Sequence, residues 1–348
     1  MNGIPPLVSP PSPKRTGWIV YSVIVTFFLF LSALGNLVLL AVAFGGGRAE
    51  VPLTRHRPQY EEQFVEGNAG ARDKIAVIYL TGVISATQDG YTSDEGVVGD
   101  IKDQLRQAVE DKRVKAIILR INSPGGEVVA SDSIYQAVAE AREKKPVVAS
   151  MDSVAASGGY YVAVGSSYIM ANELTITGSI GVILQTFTFG GLADKVGVKF
   201  HTFKSGRYKD LLNPAREPAE DEKALVQSLV QEVYEKFVTI VAEERRMNLS
   251  DLKGDKGLAD GRILSGKQAR EAGFVDDLGY FEDAIDKAME LAGIKEAKVV
   301  RYIPPFSLRN FFRLLGQSTA AKVHVEISPS KINLESGKLY FLPPYMFQ

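Results

Sequence analysis

The hydrophobic pattern of the chain falls into two regimes. The first is the run Trp18 to Phe44, WIVYSVIVTFFLFLSALGNLVLLAVAF, which holds no charged residue. A helix that crosses a bilayer needs about 20 apolar residues, so this run is long enough to span with some tilt. The apolar core of a cleaved signal peptide is shorter, about 7–15 residues. A buried soluble helix normally keeps a polar face, and Asn36 with a few serines does not make one. The pattern therefore predicts one transmembrane helix over 18–44. Residues 1–17 precede it and are rich in proline and serine, which predicts a disordered N-terminus. Residues 45–73 open with Gly45-Gly46-Gly47 and are polar, as a juxtamembrane linker would be.

The second regime begins at Lys74, where apolar runs alternate with amphipathic stretches. Ile75 to Ile84 (IAVIYLTGVI) and Val114 to Asn122 (VKAIILRIN) read as buried strands, and so does Pro146 to Met151. Between the first two, residues 98–111 set Ile101, Leu105, Ala108 and Val109 on one helical face. A helix should follow the turn Ser123-Pro124-Gly125-Gly126 and run to about Lys144, and another should open at Ser157. This alternation predicts an α/β fold with parallel strands joined by crossover helices. Shorter strands are expected at Tyr168–Met170, Ser179–Gln185 and Val198–Phe203. A long amphipathic helix is expected over 219–246, with Leu225, Leu229, Val233, Phe237 and Val241 along its face. Residues 301–348 contain several prolines and read as an extension, with a strand at Lys322–Ile327.

Charge narrows the partners. The net charge is −1, which gives no case for nucleic-acid binding. Lys14 and Arg15 precede the apolar run, whereas Arg48 is followed closely by Glu50. That bias favours a cytoplasmic N-terminus, with the α/β region on the other side of the membrane. Cysteine is absent, which excludes a thiol nucleophile, thiolate metal sites and disulfides. There are three histidines, His56, His201 and His324, so any imidazole mechanism must use one of them.

Candidate chemistry concentrates in two turns. SVAASGGYY (153–161) sets Ser157 among alanines and glycines, where small neighbours let another group come close. A serine nucleophile needs a base, and donors aimed at the developing oxyanion. The Gly158 N–H follows Ser157 at the start of a helix, where backbone donors lack partners. Gly126, at the end of the preceding strand, falls on the same carboxyl edge of a parallel sheet. Its missing side chain lets its N–H approach a substrate carbonyl. Either turn alone could be no more than a tight start to a helix; their succession favours acyl transfer. The base is less evident. His201 lies in a strand-like stretch, and Lys204 and Lys209 lie in KSGRYKD (204–210). Position alone does not choose between the lysines, and a lysine base must have its pKa lowered from about 10.4.

These pieces together resemble the bacterial signal peptide peptidase A (SppA) family, in its short single-repeat form. The matching segments are IAVIYLTGVI, RINSPGG (120–126), SVAASGGYY, ANELTITGSIGVI (171–183), KSGRYKD and GRILSGKQAREAGFVDDLG (261–279). The resemblance implies a Clp protease/crotonase-like α/β fold, with a repeated ββα core preceded by one transmembrane helix. It implies a peptidase domain over 74–300 and an extension over 301–348. It implies a Ser/Lys dyad, with Ser157 as nucleophile, Lys209 as general base and Ser179 orienting the lysine. Gly126 and Gly158 would be the oxyanion donors, with no metal and no cofactor. Substrates would be apolar peptides such as signal peptide remnants, docked as added strands along Gly126–Val129 and Gly178–Val182. The active sites would sit at subunit interfaces of a homo-oligomeric ring. A membrane-protein quality-control peptidase and a crotonase-like acyl-CoA enzyme are the competing readings. The apolar tail from Lys338 to Gln348 is expected to act either as a packing strand or as a substrate mimic in the groove.

Overall fold

The computed structural model describes residues 15–44, 60–86, 96–253, 257–305 and 340–341. The chain divides into two compact units, residues 1–56 and 57–348. In the first, α1 spans Arg15–Phe44. Among the described residues it is the one helix long and apolar enough to cross a membrane. Two of its polar side chains bond back to the helix: Thr26 Oγ1 donates to Ser22 O and Asn36 Nδ2 to Ser32 O, each at 2.8 Å. That lowers the cost of carrying them into lipid.

The second unit is the α/β part. In chain order it contains β1 (Glu61–Gly67), β2 (Lys74–Thr81), α2 (Gly96–Glu110), β3 (Val114–Ser123), β4 (Gly126–Glu127), α3 (Val128–Arg142) and β5 (Val147–Ala156). Next come α4 (Gly158–Ala163), β6 (Tyr168–Ala171), β7 (Ile176–Gly178), α5 (Gly190–Lys195), α6 (Glu220–Arg245) and α7 (Leu249–Lys253). The last elements are β8 (Ile263–Ser265), α8 (Gly266–Glu271), β9 (Asp277–Leu278), α9 (Phe281–Ala292), β10 (Lys298–Ile303) and β11 (Tyr340–Phe341). The main sheet runs β1-β10-β2-β3-β5-β6-β9, with β7 beside β5 and β8 beside β7. From β10 through β9 the pairs along this path are parallel, and β1 pairs β10 antiparallel.

The apolar runs are continuous because both faces of the central strands are covered. On β2 and β3, Ile78, Leu80, Ile117, Leu119 and Ile121 face one core cluster, with Ile101, Ile134, Tyr161 and Phe237 from the helices. The alternate residues Ile75, Val77, Ala116 and Ile118 face a second cluster with Ala284, Ile285 and Ala288 of α9. Parallel strands put their carboxyl ends on one edge, so the β3 and β5 turns emerge side by side there.

Four expectations change. Ser179–Gln185 and Val198–Phe203 are irregular chain rather than strands. Ile180 of the first is buried in the core, whereas in the second Phe200, edge-on to Phe189, is half-exposed and Phe203 is 97% exposed. On α6 the buried side is Phe237, Val238 and Val241, while Leu225 and Leu229 are exposed. The stretch read as a linker contributes β1, tied through its backbone to β10. The strand expected at Lys322–Ile327 lies outside the described residues.

Candidate active site

Ser157 occupies the tight passage from β5 into α4, with φ 52° and ψ −115°. A side-chain-bearing residue at positive φ is strained, at a cost of about 1–3 kcal/mol, and persists only where its surroundings hold it. Here the Ser157 N–H donates to Gly178 O and its carbonyl accepts from the Tyr161 N–H, both at 2.8 Å. The hydroxyl is buried, and Oγ has no hydrogen-bond partner among the described residues. An unsatisfied buried hydroxyl is a stability cost.

The small residues around it are a steric requirement. A Cβ on Gly158 would lie 2.6 Å from Ser131 Oγ and 3.1 Å from Gly126 N. One on Gly159 would lie 2.6 Å from Ser123 O, and one on Gly126 would lie 1.9 Å from Ile84 O. The two glycine turns are therefore in van der Waals contact. Ser123 closes its own turn by accepting the Gly125 N–H on Oγ at 3.1 Å. The two tyrosines after Gly159 anchor α4 in the core. Tyr160 Oη donates to Phe274 O at 2.9 Å, and Tyr161 Oη donates to Asp132 at 2.7 Å. Burial pushes both phenols well above the usual tyrosine range, with Asp132 adding to the effect on Tyr161.

Ser179 follows Gly178, the acceptor of the Ser157 N–H. It is buried, has φ 51°, and donates its N–H to Arg262 O at 2.7 Å. Ser157, Ser179, Gly126 and Gly158 are thus gathered at one sheet edge. Lys209 is not joined to them by a hydrogen bond. It lies, exposed, in an irregular arm between α5 and α6; its N–H donates to Gly206 O at 3.2 Å, while its amine has no hydrogen-bond or ion-pair partner among the described residues. Lys204 differs, since its Nζ is paired with Asp210 at 2.6 Å. His201 is exposed in the same arm. Sequence reasoning gave no role to Ser131, which lies against Gly158, or to Ser123, whose hydroxyl closes the turn at Gly125. Burial rather than spacing reveals them.

The groove beside Gly126 is filled by the chain itself. β11 pairs antiparallel with β4, Tyr340 opposite Glu127 and Phe341 opposite Gly126. On its other side Tyr340 exchanges both backbone hydrogen bonds with Ile183, at 3.2 Å each. An extended segment is thus clasped between Gly126–Glu127, one of the places expected to hold a peptide, and Ile183, one residue past the other expected stretch, Gly178–Val182. Val128 and Val129 belong to α3, so the clasp on that side is shorter than expected.

Residues 75–175 match the family model for Clp protease, which sets the class of the fold. Residues 139–295 match that for peptidase family S49. Over 245 residues the chain is 39% identical to an Enterococcus faecium protein named as a candidate signal peptide peptidase SppA, covering 70% of each chain. It is 44% identical over 230 residues to a candidate protease of Synechocystis, covering 66% of this chain and 78% of that one. Protease 4 of Salmonella typhi is 37% identical over 240 residues, which is 68% of this chain and 38% of the longer relative. The chain belongs to peptidase family S49 and is a serine peptidase.

Proposed function

We propose that the protein is a membrane-anchored Ser/Lys endopeptidase that cleaves apolar, membrane-derived peptides such as signal peptide remnants. The observation that carries this reading is the buried, unpartnered Ser157 Oγ, strained at a strand-to-helix turn against two glycine backbones. Neutral Lys209 takes the proton from Ser157 Oγ as the oxygen attacks a peptide carbonyl. The oxyanion is held by the N–H groups of Gly126 and Gly158. Protonated Lys209 then gives its proton to the leaving amine. Water, deprotonated by the same lysine, clears the acyl-enzyme. Ser179 orients the lysine.

The base comes from a neighbouring copy in a homo-oligomeric ring. Supporting this, the Lys209 amine has no partner among the described residues, and α5 with its flanks and the arm expose Phe187, Leu192, Val196 and Phe203. Apolar surface on that scale marks an interface. The N-terminus lies in the cytoplasm, α1 is retained as an anchor, and the peptidase domain of residues 74–300 faces away from the cytoplasm. The clasp around Tyr340–Phe341 supports substrate binding by strand addition.

The test is turnover of an apolar peptide across pH 6–10 by wild type, Ser157→Ala and Lys209→Ala, with mass spectrometry of the acyl adduct. Both variants should lose turnover by about three orders of magnitude or more, and the adduct should form on Ser157. Retained turnover in Lys209→Ala with loss in Lys204→Ala or His201→Ala would reassign the base.

A further inference from the structure

The loop that carries Lys209 and the first turn of α6 together hold five acids, and each is engaged by something other than Lys209. Asp210, next to Lys209 in sequence, receives Lys204 Nζ at 2.6 Å and Arg216 Nε at 2.9 Å. Its side chain is only 10% exposed. Arg216 turns its other two nitrogens to Glu222 at 2.7 and 2.6 Å. Glu222 also caps α6 by accepting the Ala219 N–H at 2.8 Å. Asp221 is held by Tyr208 Oη at 2.8 Å and Arg207 at 2.7 Å. Glu220 pairs Lys223, and Glu217 accepts from Thr188. Lys209 lies between residues that are tied to the start of α6 and is itself tied to none.

A base made from lysine cannot keep a carboxylate partner, because an adjacent negative charge favours the protonated amine. We propose that Arg216, assisted by Lys204, is a positioning residue that holds the Asp210 carboxylate away from Lys209, so that the amine reaches Ser157 without an acid beside it. Asp210 anchors the loop while its charge is spent on Arg216. The Arg216 and Lys204 contacts hold the Asp210 carboxyl well below the usual range, so it stays ionised throughout the working pH and needs a cation at all times. The inference rests on Lys209 as the base.

The experiment is the pH profile of kcat/KM for the assembled full-length enzyme in detergent. Arg216→Gln should move the ascending limb to higher pH by about one unit. Activity near neutrality then falls about tenfold while the high-pH plateau is kept. Adding Asp210→Asn to that variant should return the limb toward wild type, and Arg216→Lys should move it less than Arg216→Gln. Lys204→Gln, which leaves Arg216 on Asp210, should move it the same way by a smaller amount. It serves as the reading if Arg216→Gln does not assemble. A uniform drop at every pH, unrelieved by Asp210→Asn, would overturn the proposal and leave Arg216 a structural strut. Failure of the base assignment is separable, because Lys209→Ala would then keep turnover and its ascending limb.

Discussion

At the scale of single residues, Ser157 holds strain in its backbone and an unmet donor in its side chain, and both are recoverable. Replacing it with glycine removes the hydroxyl and suits φ 52°, whereas alanine removes the hydroxyl and keeps the strain. Ser157→Gly is therefore expected to be inactive and more stable than Ser157→Ala by about 1 kcal/mol, even after glycine's larger loss of chain entropy. Urea midpoints of the two variants measure this, and equal midpoints would mean that the turn stores no strain. Much of this site was legible in the chain, because small residues in SVAASGGYY and SPGG announce close approach. The choice between Lys204 and Lys209 was not legible from position, since both lie in one polar loop. In the structure the two differ in partner, since Asp210 takes Lys204 and leaves the Lys209 amine.

At the scale of elements, the parallel strands were readable because burial on both faces demands unbroken apolar runs, and β2, β3 and β5 have them. The arm before α6 was misread for the same reason. Val198, Phe200 and Phe203 look like strand residues, but a sequence does not say whether its apolar side chains are covered by its own chain. β1 was missed because it is an edge strand with most of its side chains exposed, which gives no apolar alternation. Ion pairs tie the arm to the start of α6, beside backbone bonds such as Phe189 N–H to Pro214 O. Arg216, and then the Ala219 N–H, lower the Glu222 carboxyl from 4.5 to about 2. A depressed carboxylate stabilises the fold above its unfolded pKa, and the gain is lost as pH falls through the folded one. The arm is therefore expected to stay docked at neutral pH and to loosen between about pH 4.5 and 2, ahead of the sheet. Hydrogen exchange of residues 204–219 against β3 would show it, and simultaneous release of both would count against it.

At the scale of the whole molecule, the distribution of parts between copies is open to direct trial. Ser157→Ala subunits lack the nucleophile and Lys209→Ala subunits lack the base, so each homo-oligomer should be inert. When the two are unfolded and reassembled together at equal amounts, about a quarter of the interfaces should join an intact serine to an intact lysine. Activity should return to roughly that fraction of wild type. No return in a mixture shown to contain hybrid rings would place serine and lysine in the same chain. A second trial concerns the clasped tail strand. Removing residues 338–348 vacates the groove beside Gly126. Cleavage of short apolar peptides should then rise, through a lower KM more than a higher kcat. Unchanged kinetics and unchanged assembly would reduce Tyr340–Phe341 to packing.

The exposed arm has a bearing on cellular safety. A hydrolase that carries its own proton acceptor in place is dangerous from the moment it folds, and cells commonly restrain such enzymes with a removable leader or a dedicated inhibitor. On the reading proposed above, the acceptor travels on a sparsely packed strap with bare aromatic rings and would find its counterpart only when copies crowd together. Newly made, dilute subunits would be harmless by arithmetic alone. Confinement to the plane of a membrane by α1, which raises local concentration, would be the step that arms them.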